Sequence, residues 1–112
     1  MQKNQQVGIQ AERLVQRHFE SKGYILRNSR LRTPFAEVDL VMEGRGEILL
    51  IEVKSLSQPD LIAFRIPWRQ KGRLSRARAW AENWLECEVR LIFAFVDKTH
   101  KIFLFNGGEE TL

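Results

Sequence analysis

Hydrophobic residues recur at helical spacing in two stretches of this chain. From residue 5 to residue 21 they repeat every three or four positions, and Gly23 just beyond suits a left-handed helix cap. From residue 68 to residue 86 the same spacing separates two stripes of side chains. The first stripe, expected to pack, holds Gln70, Leu74, Ala77, Ala81, Trp84 and Leu85, and the second, which is basic, holds Arg69, Arg73, Arg76 and Trp80. The pattern therefore predicts two helices, the second with one packed face and one basic face.

Five shorter stretches have the alternating or continuously apolar pattern of β-strands. They are residues 24–28, 37–42, 47–56, 89–96 and 101–105, and Gly44-Arg-Gly46 favours a hairpin between the second and the third. Residues 57–67 hold two of the three prolines and predict an irregular crossing. The order helix, three strands, helix, two strands predicts one α/β domain over residues 1–112. We expect a three-layer sandwich with a mixed central sheet of about five strands flanked by helices.

Composition places the chain among ordinary globular proteins. It has 112 residues, of which 44% are hydrophobic and 29% are charged, outside the ranges typical of disordered or fibrous chains. No apolar run approaches the roughly 20 residues of a membrane helix, and the Gln-rich start lacks the apolar segment of a signal peptide. The single cysteine, Cys87, has no disulfide partner within the chain, and we expect it to be partly buried. These features predict a cytoplasmic protein without membrane contact.

The net charge of +4 matters less than where the basic residues lie. Six arginines and lysines fall between residues 65 and 78 with no acid among them, and a second basic cluster occupies residues 27–32. Both clusters indicate a polyanionic partner such as DNA. The alternative is a solvated helix face with scattered loop charges. The residues predicted to contact nucleic acid are Arg30, Arg32, Arg65, Arg69, Lys71, Arg73 and Arg76.

Three charged residues stand inside the apolar strands of the predicted hairpin. Asp39 lies in one strand, and Glu52 and Lys54 lie in the next, where they share a face about 6.6 Å apart. Their strand is apolar on both faces, so we expect a central position and semi-buried charges. An ionised carboxylate is costly to bury unless something compensates it. The alternative, an ion pair of Glu52 with Lys54, carries the same burial cost, so the pattern favours a functional site.

The chemistry that these residues favour is metal-dependent hydrolysis of phosphodiesters. Asp39 and Glu52 on neighbouring strands would repel each other, and a divalent cation between them resolves the conflict. Oxygen ligands without a nearby His or Cys favour Mg²⁺ or Mn²⁺ over zinc. Such a metal polarises a phosphoryl oxygen, and Lys54 is placed to orient water and stabilise the transition state. Glu37 is a candidate third acid, with a solvated carboxylate at the start of the strand as the alternative.

These residues resemble the PD-(D/E)xK nuclease superfamily. The segments Gly8-Ile-Gln-Ala-Glu12, Gly23-Tyr-Ile-Leu-Arg-Asn28, Glu37-Val-Asp-Leu40 and Ile51-Glu-Val-Lys54 are similar to the YraN-like family of small bacterial predicted endonucleases. Archaeal Holliday junction resolvases share much of the same layout. The resemblance implies a restriction-endonuclease-like fold. Two positions depart from the pattern: Ala36 stands where the family usually has Gly, and Pro34 does not directly precede the acidic residue.

The resemblance also implies roles for single residues. The implied catalytic residues are Glu12, Asp39, Glu52, Lys54 and Gln70, and the implied metal ligands are Asp39, Glu52 and the backbone carbonyl of Val53. Glu12 matches the family's helix acid, although most helical glutamates are simply exposed. Lys71 is an alternative to Gln70 at the start of the second helix, but only Gln70 lies on the packing stripe.

The features taken together predict a Mg²⁺-dependent DNA endonuclease. No separate recognition module is visible, which favours branched, flapped or single-stranded DNA over a long recognition sequence. A branched junction would require two sites and, by analogy, favours a homodimer. The alternatives are a non-catalytic nucleic-acid-binding module and a subunit that cuts only within a larger repair or recombination complex. Trp68 and Trp80 lie among arginines and are predicted to stack on bases or bury a dimer contact, whereas Trp84 is predicted to pack.

Overall fold

In a computed structural model of the chain, the backbone is described for residues 2–56 and 66–107, and side chains from residue 8 onward. The elements are helix α1 (Gln2–Glu20), strands β1 (Ile25–Arg32), β2 (Glu37–Gly44) and β3 (Glu47–Ser55), helix α2 (Trp68–Leu85), and strands β4 (Glu88–Val96) and β5 (Ile102–Asn106). Both predicted helices and all five predicted strands are confirmed. Most of the predicted crossing, residues 57–65, lies outside the described residues. Neither α1 nor α2 has the apolar length needed to cross a membrane.

The five strands form one mixed sheet in the order β1-β2-β3-β4-β5. All neighbours are antiparallel except β3 and β4, which run parallel. Parallel neighbours require a crossover connection, and α2 lies in the segment that makes it. The turn between β2 and β3 has positive φ angles at both Arg45 and Gly46, the pattern of the two-residue turns whose twist matches a hairpin. The predicted hairpin is therefore confirmed.

A helix covers each face of the sheet. Ala11, Val15 and Phe19 of α1 pack in the core cluster on one face, and Leu74 and Ala81 of α2 pack in the cluster on the other. The three layers confirm the predicted sandwich, and the arrangement is consistent with a restriction-endonuclease-like fold. Because β3 lies between β2 and β4 and under both helices, its side chains are buried on both faces. A charged residue in the middle of β3 consequently lies in the protein interior.

Two predictions about side-chain burial are wrong. Trp84 and Leu85 were expected to pack, but they are 71% and 48% exposed, while Trp80 is packed against the α2-side core. The buried positions of α2 end at Ala81, so the last turn of the helix lies beyond the part that the sheet covers. Cys87 is exposed rather than partly buried, because it sits in the connection between α2 and β4.

Candidate active site

The β2–β3 hairpin opens at the end away from its turn, and Asp39 marks the opening. Regular pairing of the two strands stops at Leu40 and Ile51. Beyond it, the Asp39 carboxylate accepts a hydrogen bond from the backbone N–H of Val53 at 2.7 Å. A side chain thus takes the place of a backbone carbonyl in a continued ladder. Because the N–H and C=O of one strand residue point to the same side, the Val53 carbonyl also faces this opening.

Gln70 joins Glu52 and Lys54 on the α2 side of the sheet. The two charged side chains share a face because they are two residues apart in β3. The Gln70 amide nitrogen donates to Glu52 Oε2 at 2.7 Å, and Lys54 Nζ donates to Gln70 Oε1 at 3.2 Å. Lys54 Nζ also lies 3.5 Å from Glu52 Oε2. The three groups form a closed ring, to which the first turn of α2 contributes the amide.

Gln70 is thus a residue of α2 that contacts both members of the charged pair. Lys71 lines a cavity of about 280 Å³ on the α2 side of the sheet, together with Phe93, Phe95 and Phe105. The packing stripe of the helix places Gln70 toward β3, one turn before buried Leu74.

The two carboxylates of the site are held in an environment that favours their protonated forms. Burial, followed by the negative charge of Asp39, raises the pKa of Glu52 from 4.5 to about 8, against the opposing charge of Lys54. Burial also raises the pKa of Asp39, although the hydrogen bond from Val53 lowers it. Ionising both of two nearby acids is unfavourable because their negative charges repel, and a cation bound between them removes this repulsion. The geometry predicted for Asp39 and Glu52 is therefore present.

A third acid, Glu12, reaches the same end of the sheet from α1. Burial and then the negative charge of Asp39 raise the pKa of Glu12, and Arg30 opposes this rise. The negative charge of Glu37 raises the pKa of both Glu12 and Asp39. The structure thus brings Glu12 and Glu37 within electrostatic range of Asp39.

Arg30 is held beside these acids by an unusual backbone conformation. Its guanidinium Nη2 lies 3.5 Å from Glu12 Oε1. Arg30 lies in β1 between Ser29 and Leu31, which pair with Leu40 and Val38 on either side of Asp39, and its φ angle is +54°. A positive φ is uncommon for a residue other than glycine and costs about 1–2 kcal/mol. Strain of this kind is typical of functional sites.

The oxygen atoms at the opening fit a hard divalent cation that keeps part of its water shell. Within residues 8–56 and 66–107, no group of three or more His, Cys, Asp or Glu side chains is arranged to hold a metal ion by itself. Asp39, with one oxygen bound to the Val53 N–H, and Glu52 supply two carboxylates, and Val53 supplies a carbonyl. Mg²⁺ commonly binds through one or two carboxylates and several waters. The donor set therefore fits Mg²⁺ or Mn²⁺ better than zinc, which prefers nitrogen and sulfur.

Three of the arginines predicted to contact nucleic acid lie on an exposed face of α2. Arg69, Arg73 and Arg76, with Trp68 and Gly72, line a shallow depression of about 240 Å³. None of the three arginines pairs with an acid in the part of the chain that the structure describes. This surface, which we call the α2 basic face, is positioned to receive a polyanion.

The other basic residues have different surroundings. Arg32, exposed at the end of β1, stands opposite Glu37. Arg78 donates to Glu82 at 2.9 Å and to the Val89 carbonyl at 3.2 Å, so it belongs to the fold rather than to the basic face. Arg65 lies outside the described residues.

Two contacts of the site have no signal in the sequence. The sequence predicts Arg30 as a phosphate contact, but nothing in its spacing indicates a pairing with Glu12. The bond of Asp39 to the Val53 N–H likewise arises where a strand ladder stops, which periodicity does not encode.

Comparison with known proteins finds relatives whose names state no activity. The family model described as "Uncharacterised protein family UPF0102" matches residues 11–99. A UPF0102 protein of Rhodopseudomonas palustris strain BisB5 is 36% identical over 80 residues, 71% of this chain and 59% of that relative. One of Bradyrhizobium diazoefficiens is 36% identical over 78 residues, 70% of this chain and 56% of that relative. The chain spans less than two thirds of the length of these curated relatives.

Proposed function

The chain belongs to the uncharacterised protein family UPF0102, and from that premise we propose that it is a metal-dependent endonuclease that hydrolyses phosphodiester bonds in DNA. The proposal extends the sequence resemblance to the PD-(D/E)xK nuclease superfamily. It assigns the site at the open end of the hairpin as the active site, with Mg²⁺ or Mn²⁺ as its cofactor.

One observation carries this proposal: a buried carboxylate, a half-buried carboxylate and an amine converge where a strand ladder opens. Glu52 has a side chain that is only 8% exposed, and Asp39 lies close enough to raise the pKa of Glu52. Lys54 and Gln70 contact Glu52, and the single charge of Lys54 opposes the rise in pKa of both acids. A fold gains nothing from two such acids unless a further cation is bound between them. A purely structural ion pair would require only one acid.

Each residue of the site has a task in phosphodiester hydrolysis. Asp39, Glu52 and the Val53 carbonyl would hold the metal ion. When bound, this ion would polarise the scissile phosphate and acidify a water molecule. Lys54 orients the attacking water and stabilises the negative charge that grows in the transition state. Gln70 fixes the positions of both Lys54 and Glu52 through its two hydrogen bonds.

The α2 basic face and Arg32 supply the attraction for the DNA backbone. Exposed arginines bind phosphates, and phosphate contacts give affinity without sequence selectivity. Substrates selected by shape, such as branched, flapped or single-stranded DNA, therefore fit this surface best. If the substrate is a four-way junction, two active sites are needed, and a homodimer would provide them.

The α2 basic face alone would also suit a module that binds nucleic acid without cutting it. Such a module gains nothing from carboxylates that face a phosphate, which favours the nuclease. A subunit that cuts only inside a larger repair or recombination complex would keep the same site. Binding measurements do not separate these functions, but cleavage measurements do.

The test is a nicking assay on supercoiled plasmid and on branched DNA with Mg²⁺, Mn²⁺ or EDTA. Wild type should nick in either metal and not in EDTA, and Asp39→Ala and Lys54→Ala should abolish nicking. Binding in EDTA should be unchanged in Lys54→Ala and unchanged or tighter in Asp39→Ala, because a negative charge near the phosphate is lost. Lys22→Ala, which removes an exposed lysine from the turn after α1, is the matched control and should nick normally.

Equal nicking by wild type and the Asp39→Ala protein would identify a contaminating nuclease and refute the proposal for this chain. Metal-independent binding with no cleavage of any DNA would favour the binding module.

A further inference from the structure

Trp68 is a large apolar side chain that the fold leaves in solvent. It opens α2 and is 77% exposed. The Arg69 guanidinium lies 5.5 Å from the centre of its ring. Exposing so large an aromatic surface gains no folding energy. The ring is therefore available to a partner.

The position of Trp68 ties it to the candidate active site. It stands two residues before Gln70, whose amide contacts Glu52 and Lys54. A helix rises about 1.5 Å and turns about 100° per residue, so the two residues are about 3 Å apart along the axis, with Gln70 directed toward β3 and Trp68 toward solvent. Trp68 also borders the depression lined by Arg69, Arg73 and Arg76. A DNA strand bound to these arginines with a phosphate at Lys54 would pass close to the indole.

An indole beside a row of arginines matches the composition of surfaces that bind single-stranded nucleic acid. Such surfaces combine cations that track the backbone with aromatic rings on which bases stack. In a continuous duplex both faces of each base are covered by its neighbours, so a protein ring can stack only on a base that is unpaired or at an end. Arginine alone binds duplex and single strand alike through phosphates. The tryptophan is thus the element of this surface that can distinguish them.

We propose that Trp68 stacks on an unpaired base of the bound strand, so that the α2 basic face selects DNA with a single-stranded segment beside the cleavage point. The location of this segment beside a cleavage point rests on the proposed nuclease function. The stacking itself requires neither metal nor catalysis. It makes Trp68 a specificity-determining residue and the arginines around it non-selective contacts.

The test measures binding in EDTA, where no cleavage occurs, by fluorescence anisotropy. Three labelled probes of the same sequence are compared: a single strand, a duplex with a single-stranded flap, and a fully paired duplex with capped ends. Stacking is worth about 1–3 kcal/mol per base. Trp68→Ala should therefore weaken binding of the strand and the flap by about 5- to 150-fold and change duplex binding less than about twofold. Trp68→Phe, which keeps a ring, should recover part of the loss.

Trp84→Ala is the matched control. Trp84 is also exposed, at 71%, but it stands 16 residues further along α2, about 24 Å from Trp68, and should leave all three probes unaffected. Equal weakening of strand and duplex by Trp68→Ala, or no weakening, would overturn the proposal. A dimer that dissociates in sedimentation when Trp68 is removed, with strand discrimination intact, would also overturn it and assign the ring to a protein interface.

Failure of this inference and failure of the nuclease proposal give different results. If Asp39→Ala leaves cleavage unchanged but Trp68→Ala abolishes strand discrimination, the stacking surface stands and the nuclease does not. If Asp39→Ala abolishes cleavage but Trp68→Ala changes no probe, the nuclease stands and the stacking surface does not.

Discussion

Strand β3 carries two glutamates with little exposed side chain, Glu47 at the turn end and Glu52 toward the open end, and their surroundings differ. At the turn end, the Glu47 side chain is 11% exposed. It accepts a hydrogen bond from the Tyr24 hydroxyl at 2.6 Å and pairs with Arg90 at 3.2 Å. At the open end, the Glu52 side chain is 8% exposed and also has a cation, Lys54, and a neutral donor, Gln70. Glu47 has Glu88 as its neighbour on β4, whereas Glu52 has a second carboxylate, Asp39, close enough to raise its pKa.

This difference separates a structural arrangement around Glu47 from a candidate functional arrangement around Glu52. One acid with one cation and one hydrogen-bond donor is a complete structural arrangement. Burial and then the charge of the second acid, Asp39, raise the pKa of Glu52 to about 8, and the two acids leave an excess of negative charge in this place when both ionise. A fold that keeps this excess should be less stable without an added cation and active with one. Substitutions made separately at the two ends of β3 test this difference.

The largest effect is expected when the two glutamates are neutralised separately. Glu52→Gln should lower Mg²⁺-dependent DNA cleavage by at least about a hundredfold, because a metal ligand is lost. Glu47→Gln should leave cleavage within about twofold. At about pH 9 in EDTA the stabilities should change in opposite directions. Glu52→Gln removes a repulsive charge and should stabilise, and Glu47→Gln weakens two hydrogen bonds and should destabilise by about 1–2 kcal/mol.

Cleavage by plasmid nicking and unfolding by urea in the same buffer measure both quantities. If both substitutions destabilise equally and neither reduces cleavage, the two glutamates are equivalent and the open end is merely structural.

The second prediction concerns how stability varies with pH in metal-free protein. The unfolded chain holds Glu52 near its ordinary pKa of 4.5, and the folded chain holds it near 8. Between these values the folded state binds more protons than the unfolded state, so its stability falls as pH rises. The contribution of Glu52 is complete below pH 4.5 and lost above pH 8. Its size is on the order of a few kcal/mol, since one pKa unit is about 1.4 kcal/mol.

Thermal unfolding in EDTA at several pH values between 4.5 and 9 measures this slope. Glu52→Gln should flatten it, and the raised pKa of Asp39 should leave a smaller slope of the same sign. Millimolar Mg²⁺ should raise the melting temperature most at high pH, because binding requires the ionised carboxylate. A slope that Glu52→Gln does not alter would show that Glu52 is not the titrating group.

The sequence predicts the two ends of β3 unequally well, for a physical reason. A run that is apolar on both faces indicates a central strand, and the two-residue period places Glu52 and Lys54 on one face; both inferences follow from local geometry. Where a ladder stops is decided by tertiary packing. The bond from the Val53 N–H to Asp39 therefore has no sequence signal, although the proximity of Asp39 to Glu52 follows from the hairpin.

The same distinction explains the wrong prediction for α2. Helical periodicity gives the direction of each side chain around the axis, and it identifies buried Leu74 and Ala81 correctly. It contains nothing about where along the axis the sheet ceases to cover the helix. Trp84 lies on the same stripe of α2 as the core residues, but it is in the last turn, which the sheet does not cover. The positive φ of Arg30 is likewise set by tertiary context, because its side chain would favour negative φ.

The third prediction compares the neutral donors of the two glutamates. Gln70→Leu should lower kcat about tenfold with little change in KM, because Lys54 and Glu52 lose the group that orients them. Tyr24→Phe removes the corresponding donor at the turn end. It should cost about 1 kcal/mol of stability and leave cleavage within about twofold. Single-turnover cleavage and chemical unfolding separate the two outcomes. An equal loss of cleavage in both variants would mean that general destabilisation, not positioning, is responsible.

The smallest effect is expected at Glu12, an acid that pairs with Arg30 and whose pKa is also raised by the negative charge of Asp39. Arg30→Gly should relieve the positive φ of +54° and stabilise the fold by about 1 kcal/mol. It should also lower cleavage several-fold, because Arg30 no longer opposes the rise in the pKa of Glu12. Arg27→Gly, which removes an exposed pair with Glu43 on the same strand, is the control; it should destabilise by about 0.5–1 kcal/mol and leave cleavage unchanged. Unfolding free energies that move in the same direction for both glycine variants would show that Arg30 stores no strain, and unchanged cleavage in Arg30→Gly would remove it from the site.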